Sequence, residues 1–262
     1  GEMGVDAGGV FREGVSSMIQ DLFSENFNLL ILCPNGQHET HMNCDKYIPN
    51  PKHTGPLALS MYEFVGKLMA MSLRAKLMLP FEFPSIIWKK LCNEKPNFDD
   101  LHAIDAITCQ LIKTLRNCEK DGSVIDQVTF YEKYGNQLKW TYNGSDGVER
   151  ELKKDGCSTS REDILVIYAE KNEYCDAIEK ARLTEFDEQI DSICKGFVEV
   201  MPESIINLFS WEQVEVLVAG SPVVDITLWK QQTINGVSQR LCDLFWKVMT
   251  SLTQKEQSMF IR

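Results

Sequence analysis

Cys33, His38, His41 and Cys44 form the one cluster in the chain with the chemistry of a metal site, since two thiols and two imidazoles could complete a tetrahedral zinc. Their spacing argues against it. His38 and His41 are two residues apart in a polar loop, Cys33 follows an apolar run, and no finger spacing is matched, so these side chains read as ordinary loop residues and no metal is expected. Nucleophilic catalysis needs a Ser or Cys beside a base and an oxyanion hole. No Gly-x-Ser-x-Gly elbow occurs, and four histidines offer no local Cys/His pair to the nine cysteines. The thiols therefore read as structural, and no catalytic residue is assigned within this chain. Gly4-Val5-Asp6-Ala7-Gly8-Gly9 is glycine-rich, but it lacks both the Gly-Lys-Ser/Thr of a phosphate loop and the spacing of a dinucleotide fingerprint. It lets the backbone turn before the first helix, and no cofactor is indicated.

The elements around these residues fit one large domain or two subdomains sharing an interface. The chain has 262 residues, 27 Lys+Arg against 38 Asp+Glu for a net charge of −11, and 44% hydrophobic residues. That composition excludes wholesale disorder, and the acidic excess without a basic run gives nucleic acid and anionic membranes little to hold. An odd, scattered set of cysteines points to a reducing compartment, cytosolic or nuclear. Neither a long apolar run nor a leader-like start is present, so neither a membrane span nor a secretory signal is expected.

Apolar spacing predicts a helix over Val10–Phe23, a strand over Leu29–Leu32 and a turn at Pro34-Asn35-Gly36. A polar stretch follows, and then a helix over Pro56–Met78 so apolar that burial on nearly all sides is expected. Two more helices fit around Ile86–Leu91 and from Asp100 to Cys118, the latter carrying Ile104, Ile107, Leu111 and Leu115 inward. From Val124 to Lys154 the texture changes. Val128-Thr129-Phe130-Tyr131 and Gln137–Tyr142 carry β-branched and aromatic residues at period two, separated by turns, and Asp163–Ile167 adds another short strand, so a small β-containing unit is expected. The last third is helical. Leu183, Phe186, Ile190, Ile193 and Phe197 make one stripe, Ser210 with Gln213 makes a capping box for a helix ending at Gly220, and a last helix over Ser238–Ser251 turns Leu241, Leu244, Phe245, Val248 and Leu252 inward. The fold class is α+β, predominantly helical.

In order along the chain, Gly4–Glu13, Asn50-Pro51, Tyr62-Glu63-Phe64-Val65-Gly66-Lys67-Leu68, Asp100-Leu101 with Asp105, Glu151–Gly156, Asn172-Glu173-Tyr174, Lys195-Gly196-Phe197, Phe209, Val214–Leu217 with Gly220, Asp225 with Trp229, and Phe245-Trp246 resemble HECT-type ubiquitin ligase domains. Glu185–Gln189 is nearer to the large HERC-type members. The resemblance implies the N-terminal lobe of such a domain, with Met259–Arg262 falling just before the interlobe hinge. A large helical subdomain would comprise residues 1–118 and 181–262, and residues 119–180 would form a small subdomain that docks a ubiquitin-conjugating enzyme. The family's nucleophile lies in the C-terminal lobe, in a Thr-Cys pattern followed by a Leu-Pro-x-Tyr segment, a combination not found here. The implied reaction of the intact domain is transthiolation followed by transfer of ubiquitin to a lysine, with substrates bound by regions outside this chain.

Carried over position by position, the conjugating-enzyme groove matches Leu111, Leu115, Ile125, Asp126, Val128, Phe130 and Tyr174, while Cys157–Glu162 resembles an insertion. Such a groove must be apolar, exposed and rimmed by polar groups. Leu111 and Leu115, four apart on a helix, fit simple core positions better than groove positions. Some members hold a second ubiquitin through an aromatic residue on the helix matched by Phe64–Leu77, and the corresponding position here is the charged Arg74. The negative net charge suits electrostatic steering of a basic conjugating enzyme. Two further readings stand beside this one: a self-contained cysteine-dependent enzyme, and a non-catalytic interaction domain.

Overall fold

A computed structural model describes residues 9–24, 26–40, 42–117, 127–135, 138–152, 165–220, 224–234, 236, 238–253, 256–257 and 260. Within them α1 (Gly9–Leu22) buries Val15, Ile19 and Leu22 along one face, as their helical spacing requires. Strand β1 (Leu30–Leu32) pairs antiparallel with β2 (Tyr47–Pro49), Ile31 facing Ile48. The second strand hides in the stretch read as polar, because three residues ending in proline leave no alternation to detect. Pro34-Asn35-Gly36 opens a single helical turn, α2 (Pro34–Gln37), with proline at its first position, where its missing N–H costs nothing.

Helix α3 (Pro56–Ala75) starts on the same device and ends at Lys76, which takes a left-handed conformation with φ 53°. Tyr62, Val65, Leu68 and Met69 are buried, but Leu57, Phe64 and Met71 are exposed, so one face of this helix meets solvent and burial on nearly all sides does not hold. Its inner face crosses α9 (Asp187–Val200) at two glycines. A Cβ at Gly66 would overlap the Ile193 carbonyl, and one at Gly196 would overlap the Glu63 carbonyl, so the two backbones approach more closely than any side chain allows. Of the expected stripe, Phe186, Ile190, Ile193 and Phe197 are buried, while Leu183 is partly buried and ends the preceding helix. With α4 (Ser85–Leu91) and α11 (Trp211–Ala219) these elements enclose the first core, in which Trp88, Phe81 and Phe83 are fully buried. Helix α11 carries the expected Ser210/Gln213 capping box and stops at Gly220 with φ 85°. A short α10 (Glu203–Ile206) follows the Met201-Pro202 pair.

The helix expected over Asp100–Cys118 is two helices, α5 (Phe98–Ile104) and α6 (Ala106–Arg116). Asp105 breaks it by leaving helical geometry and accepting the Thr108 N–H at 2.9 Å, a side-chain cap that competes with continuation. The break rotates Ile107 out to 53% exposure. Beyond it a second core gathers Ile112, Leu115, Phe130, Leu138, Trp140 and Tyr174, with Leu152, Val166, Cys175 and Ile178. Here Val128–Tyr131 is not a strand. It lies in the helix α7 (Gln127–Tyr134), and the true signal was the i, i+4 pair Phe130 and Tyr134, whose rings lie 5.4 Å apart. Strands β3 (Thr141–Asn143) and β4 (Glu149–Glu151) form an antiparallel hairpin over the turn expected at residues 142–147. Of the strand expected at Asp163–Ile167, Leu165 bridges Lys139. Helix α8 (Lys171–Leu183), unread in the sequence because its residues are largely polar, packs on α6 through Tyr174, Cys175 and Ile178.

Helix α12 (Ile226–Gln232) and helix α13 (Gln239–Ser251) form a third, small cluster around Cys242, Trp246 and Met249, with the Trp229 and Trp246 rings 5.2 Å apart at 86°. Leu241, Leu244, Phe245 and Val248, expected inward, lie on the exposed face of α13. The helix carries two apolar faces, and the tryptophan side won. No helix of the described residues is long and apolar enough to cross a membrane.

Candidate functional site

The residues predicted for the groove fall into three groups. Leu115 and Phe130 are fully buried and Tyr174 is 3% exposed, so these three belong to the second core. Leu111 is half-buried against that core, and Val128 is 63% exposed on the outer side of α7. Ile125 and Asp126 lie outside the described residues, as do Lys120–Ser123, the loop Lys154–Ser160 and the stretch Cys157–Glu162.

Tyr174 is held in place from two sides. Its ring meets Trp140 edge-on at 5.7 Å, and its hydroxyl lies 3.4 Å from the Thr141 carbonyl of β3, to which it donates. Burial pushes that hydroxyl up to about 12, so it stays a neutral donor. Above Tyr174, between α6, α8 and the hairpin, opens a cavity of about 300 Å³ lined by Ile107, Leu111, Tyr142, Tyr174 and Ile178, with Glu149 on its polar side. Ile107, Tyr142 and Glu149 are additions that the sequence reading missed. The signal for Ile107 was Asp105, whose capping turns the following residue outward. Among the described residues, the lining of this recess includes Thr108, Lys139, Thr141 and Glu149 but neither Cys nor His. The arrangement offers a shallow, partly apolar recess with a rigid aromatic floor, the kind of surface that accepts a side chain from another protein.

Four of the described thiols, Cys33, Cys92, Cys109 and Cys194, sit in packed surroundings. Burial pushes Cys92 up to about 11 and Cys109 and Cys194 up to about 12, and it raises Cys33 as well. A thiol so shifted carries almost no thiolate at neutral pH. Thr108-Cys109 is a Thr-Cys pair by sequence, yet Cys109 is sealed in the first core. In the loop of Cys33, His38, His41 and Cys44, Cys33 donates to the Asn43 carbonyl at 3.3 Å and Cys44 to the Thr40 carbonyl, while His41 lies outside the described residues.

A family model described as HECT-domain (ubiquitin-transferase) matches residues 16–262, a span that begins inside α1 and takes in both large cores and the α12–α13 cluster. The chain belongs to the HECT-domain family. Relatives of this HECT chain include E3 ubiquitin-protein ligase HERC2 of Mus musculus and of Homo sapiens, each 28% identical over 265 residues, covering 100% of this chain and 5% of theirs. E3 ubiquitin-protein ligase TOM1 of Saccharomyces cerevisiae is 25% identical over 269 residues, covering 100% of this chain and 8% of its own length. The chain therefore spans a small fraction of the length of the relatives it matches. The HERC2 likeness agrees with the HERC-type character of Glu185–Gln189, and the mostly helical α+β architecture is that expected of a HECT N-terminal lobe.

Proposed function

We propose that this HECT chain is the recruiting part of a ubiquitin ligase: it binds a ubiquitin-charged conjugating enzyme and presents the thioester to a catalytic cysteine that lies outside the chain. The observation that carries the reading is the family match over residues 16–262, to which the recess beside α6, α8 and the hairpin adds a place for an inserted side chain. In this reading residues 1–118 and 181–262 act as the large subdomain and residues 119–180 as the docking subdomain, with the second half of α6 shared between them. Val128, Leu111 and Ile107 are the side chains that meet the partner; Leu115, Phe130 and Tyr174 form the floor that shapes them. Ile125 and Asp126 are assigned to the same face by resemblance alone.

The buried, proton-retaining thiols weigh against a self-contained cysteine enzyme, and the negative net charge suits approach by a basic conjugating enzyme without requiring nucleic acid or membrane. The odd, scattered set of cysteines in the sequence suits a reducing setting, cytosolic or nuclear. The test is to mix the chain with a ubiquitin-charged conjugating enzyme. Complex formation without any thiol-sensitive ubiquitin adduct on this chain is expected. A ubiquitin thioester on one of its own cysteines would favour the self-contained enzyme, and no complex with any of a panel of conjugating enzymes would favour a domain with a different partner.

A further inference from the structure

The chain passes between its two larger cores at two places. It leaves the first within α6, whose Cys109 still belongs to the first core and whose Ile112 belongs to the second, just after the α6 cap Asp105, and returns at the junction of α8 and α9, where Glu185 sits. Both crossings meet at one arginine. Arg182 is 1% exposed; its Nη2 donates to Asp105 Oδ2 at 2.8 Å and its Nη1 donates to Glu185 Oε2. Glu185 in turn receives the tip of the β3–β4 hairpin, accepting the Ser145 N–H at 2.8 Å and the Ser145 hydroxyl at 2.9 Å. The Ser145 carbonyl accepts from Gln37 Nε2 of α2 at 2.8 Å, which ties the same tip to the first core. Arg150 grips Asp146 with both guanidinium nitrogens at 2.7 Å and approaches Glu185 at 3.6 Å. Gly144 makes room for this, since a Cβ there would overlap the Arg150 and Glu185 side chains.

Buried ion clusters are a poor way to gain stability, because desolvation offsets most of the attraction. What they supply is geometry: a planar guanidinium fork fixes the angle and separation of the groups it joins, which apolar packing does not. On α8 the stripe Tyr174, Ile178 and Arg182 runs at four-residue spacing from the aromatic floor of the recess to this cluster, so the two share one rigid element.

We propose that Arg182 is a positioning residue: by joining both crossings and the hairpin tip, it holds the α6–α8 face at one fixed angle to the α3–α9 core. The significance of that angle rests on the docking function proposed above, because it would set where a bound conjugating enzyme points; the angle itself is measured without any partner. Spin labels on ketone-bearing residues introduced at Ser60 on α3 and Glu132 on α7, both exposed, leave the native thiols untouched and report the distance between the two units by pulsed electron resonance. One narrow distance distribution is expected in the parent chain. Arg182→Met and Glu185→Gln should at least double its width, and Arg182→Lys, which reaches one carboxylate at a time, should fall between. Thermal melts on the same samples identify any variant that fails to fold, in which case Ser145→Ala, which removes only the hairpin-tip hydroxyl contact, carries the test with a smaller broadening. Unchanged widths in folded variants overturn the proposal, even if their melting temperatures drop, for that is what a merely stabilising cluster would give. Failure of the parent chain to bind any conjugating enzyme would sink the docking reading and leave the distance result standing.

Discussion

Val128 and Tyr174 were grouped together by resemblance, and the structure separates them sharply enough to be tested as a pair. Replacing Val128 by Ala removes about two methylene equivalents, ~1.6 kcal/mol if fully buried. At 63% exposure only about a third of that burial exists, so the loss of stability is ~0.6 kcal/mol and the melting temperature falls by roughly 1–2 °C. Tyr174→Ala empties the space beneath Trp140 and should cost about 3–5 kcal/mol, a fall of roughly 6–20 °C for a domain of this size. Tyr174→Phe keeps the ring and gives up one long hydrogen bond, for a loss under about 1 kcal/mol. Affinity follows the opposite order of directness. If Val128 meets the partner, Val128→Ala weakens conjugating-enzyme binding by about 1–3 kcal/mol, roughly 5- to 150-fold, with the fold intact. Tyr174→Ala loses affinity only as it loses structure. Calorimetric titration and thermal melts on the same preparations give both numbers. Unchanged affinity of Val128→Ala together with a melting temperature lowered by more than about 5 °C would show that Val128 is packed rather than presented, and the assignment of the outer α7 surface would fall.

Two further perturbations address the helices that carry this face. Gly66→Ala and Gly196→Ala should each destabilise by about 1–3 kcal/mol, and the double variant by less than the sum, because one separation of α3 from α9 relieves both overlaps; denaturant titration of the four proteins measures the coupling, and a neutral single variant would show that the crossing is looser than described. Glu63 is drawn down from 4.5 to about 2 by its hydrogen bonds to Lys195 and Lys67, with Lys67 also reaching Glu199 at 2.8 Å across the same two helices. Because its folded value is depressed, its stabilisation is complete above the unfolded value and is lost as pH falls from about 4.5 toward 2. Glu63→Gln should flatten that limb of a melting-temperature profile taken at low salt, and an unchanged slope would remove Glu63 from the account.

What the sequence disclosed follows from how local each signal is. The capping box at Ser210, the positive φ at Gly220 and the buried stripe from Phe186 to Phe197 depend on neighbours within a turn or two, and all three were legible. The face of α13 was not, because Leu241, Leu244, Phe245 and Val248 and, alternatively, Cys242, Trp246 and Met249 both satisfy helical spacing; burial of the second set among Ile226, Trp229 and Leu252 decides between them. Helix α7 escapes a period-two reading because four residues of β-branched and aromatic type fit a strand as well as a helical turn; its inward side is set by Phe130, whose ring packs on Tyr134 one turn on at 5.4 Å and on the distant Tyr168 at 5.6 Å. Around the face proposed for docking, resemblance could not rank exposure. Tyr174 and Val128 differ in what covers them, and that cover comes from the hairpin, some thirty residues away from Tyr174 in the chain. The ion cluster was invisible for the same reason: Asp105, Ser145 and Arg182 are separated by long stretches, and no spacing rule links them.

The crossing of α3 with α9 joins residues 66 and 196, with the whole second core encoded between them. A growing chain therefore completes α3, with the groove around Gly66 and its apolar neighbours uncovered, well before α9 has been synthesised. At about 5–20 residues per second the delay is on the order of ten seconds, long compared with the time in which a helix forms. During that interval the face of nascent α3 that α9 will cover stays open to capture by a chaperone, and the second unit has time to assemble on its own before the first can close. Slowing translation between codons 110 and 180 should thus prolong the window in which this protein is captured or degraded, while leaving the properties of the finished molecule unaltered.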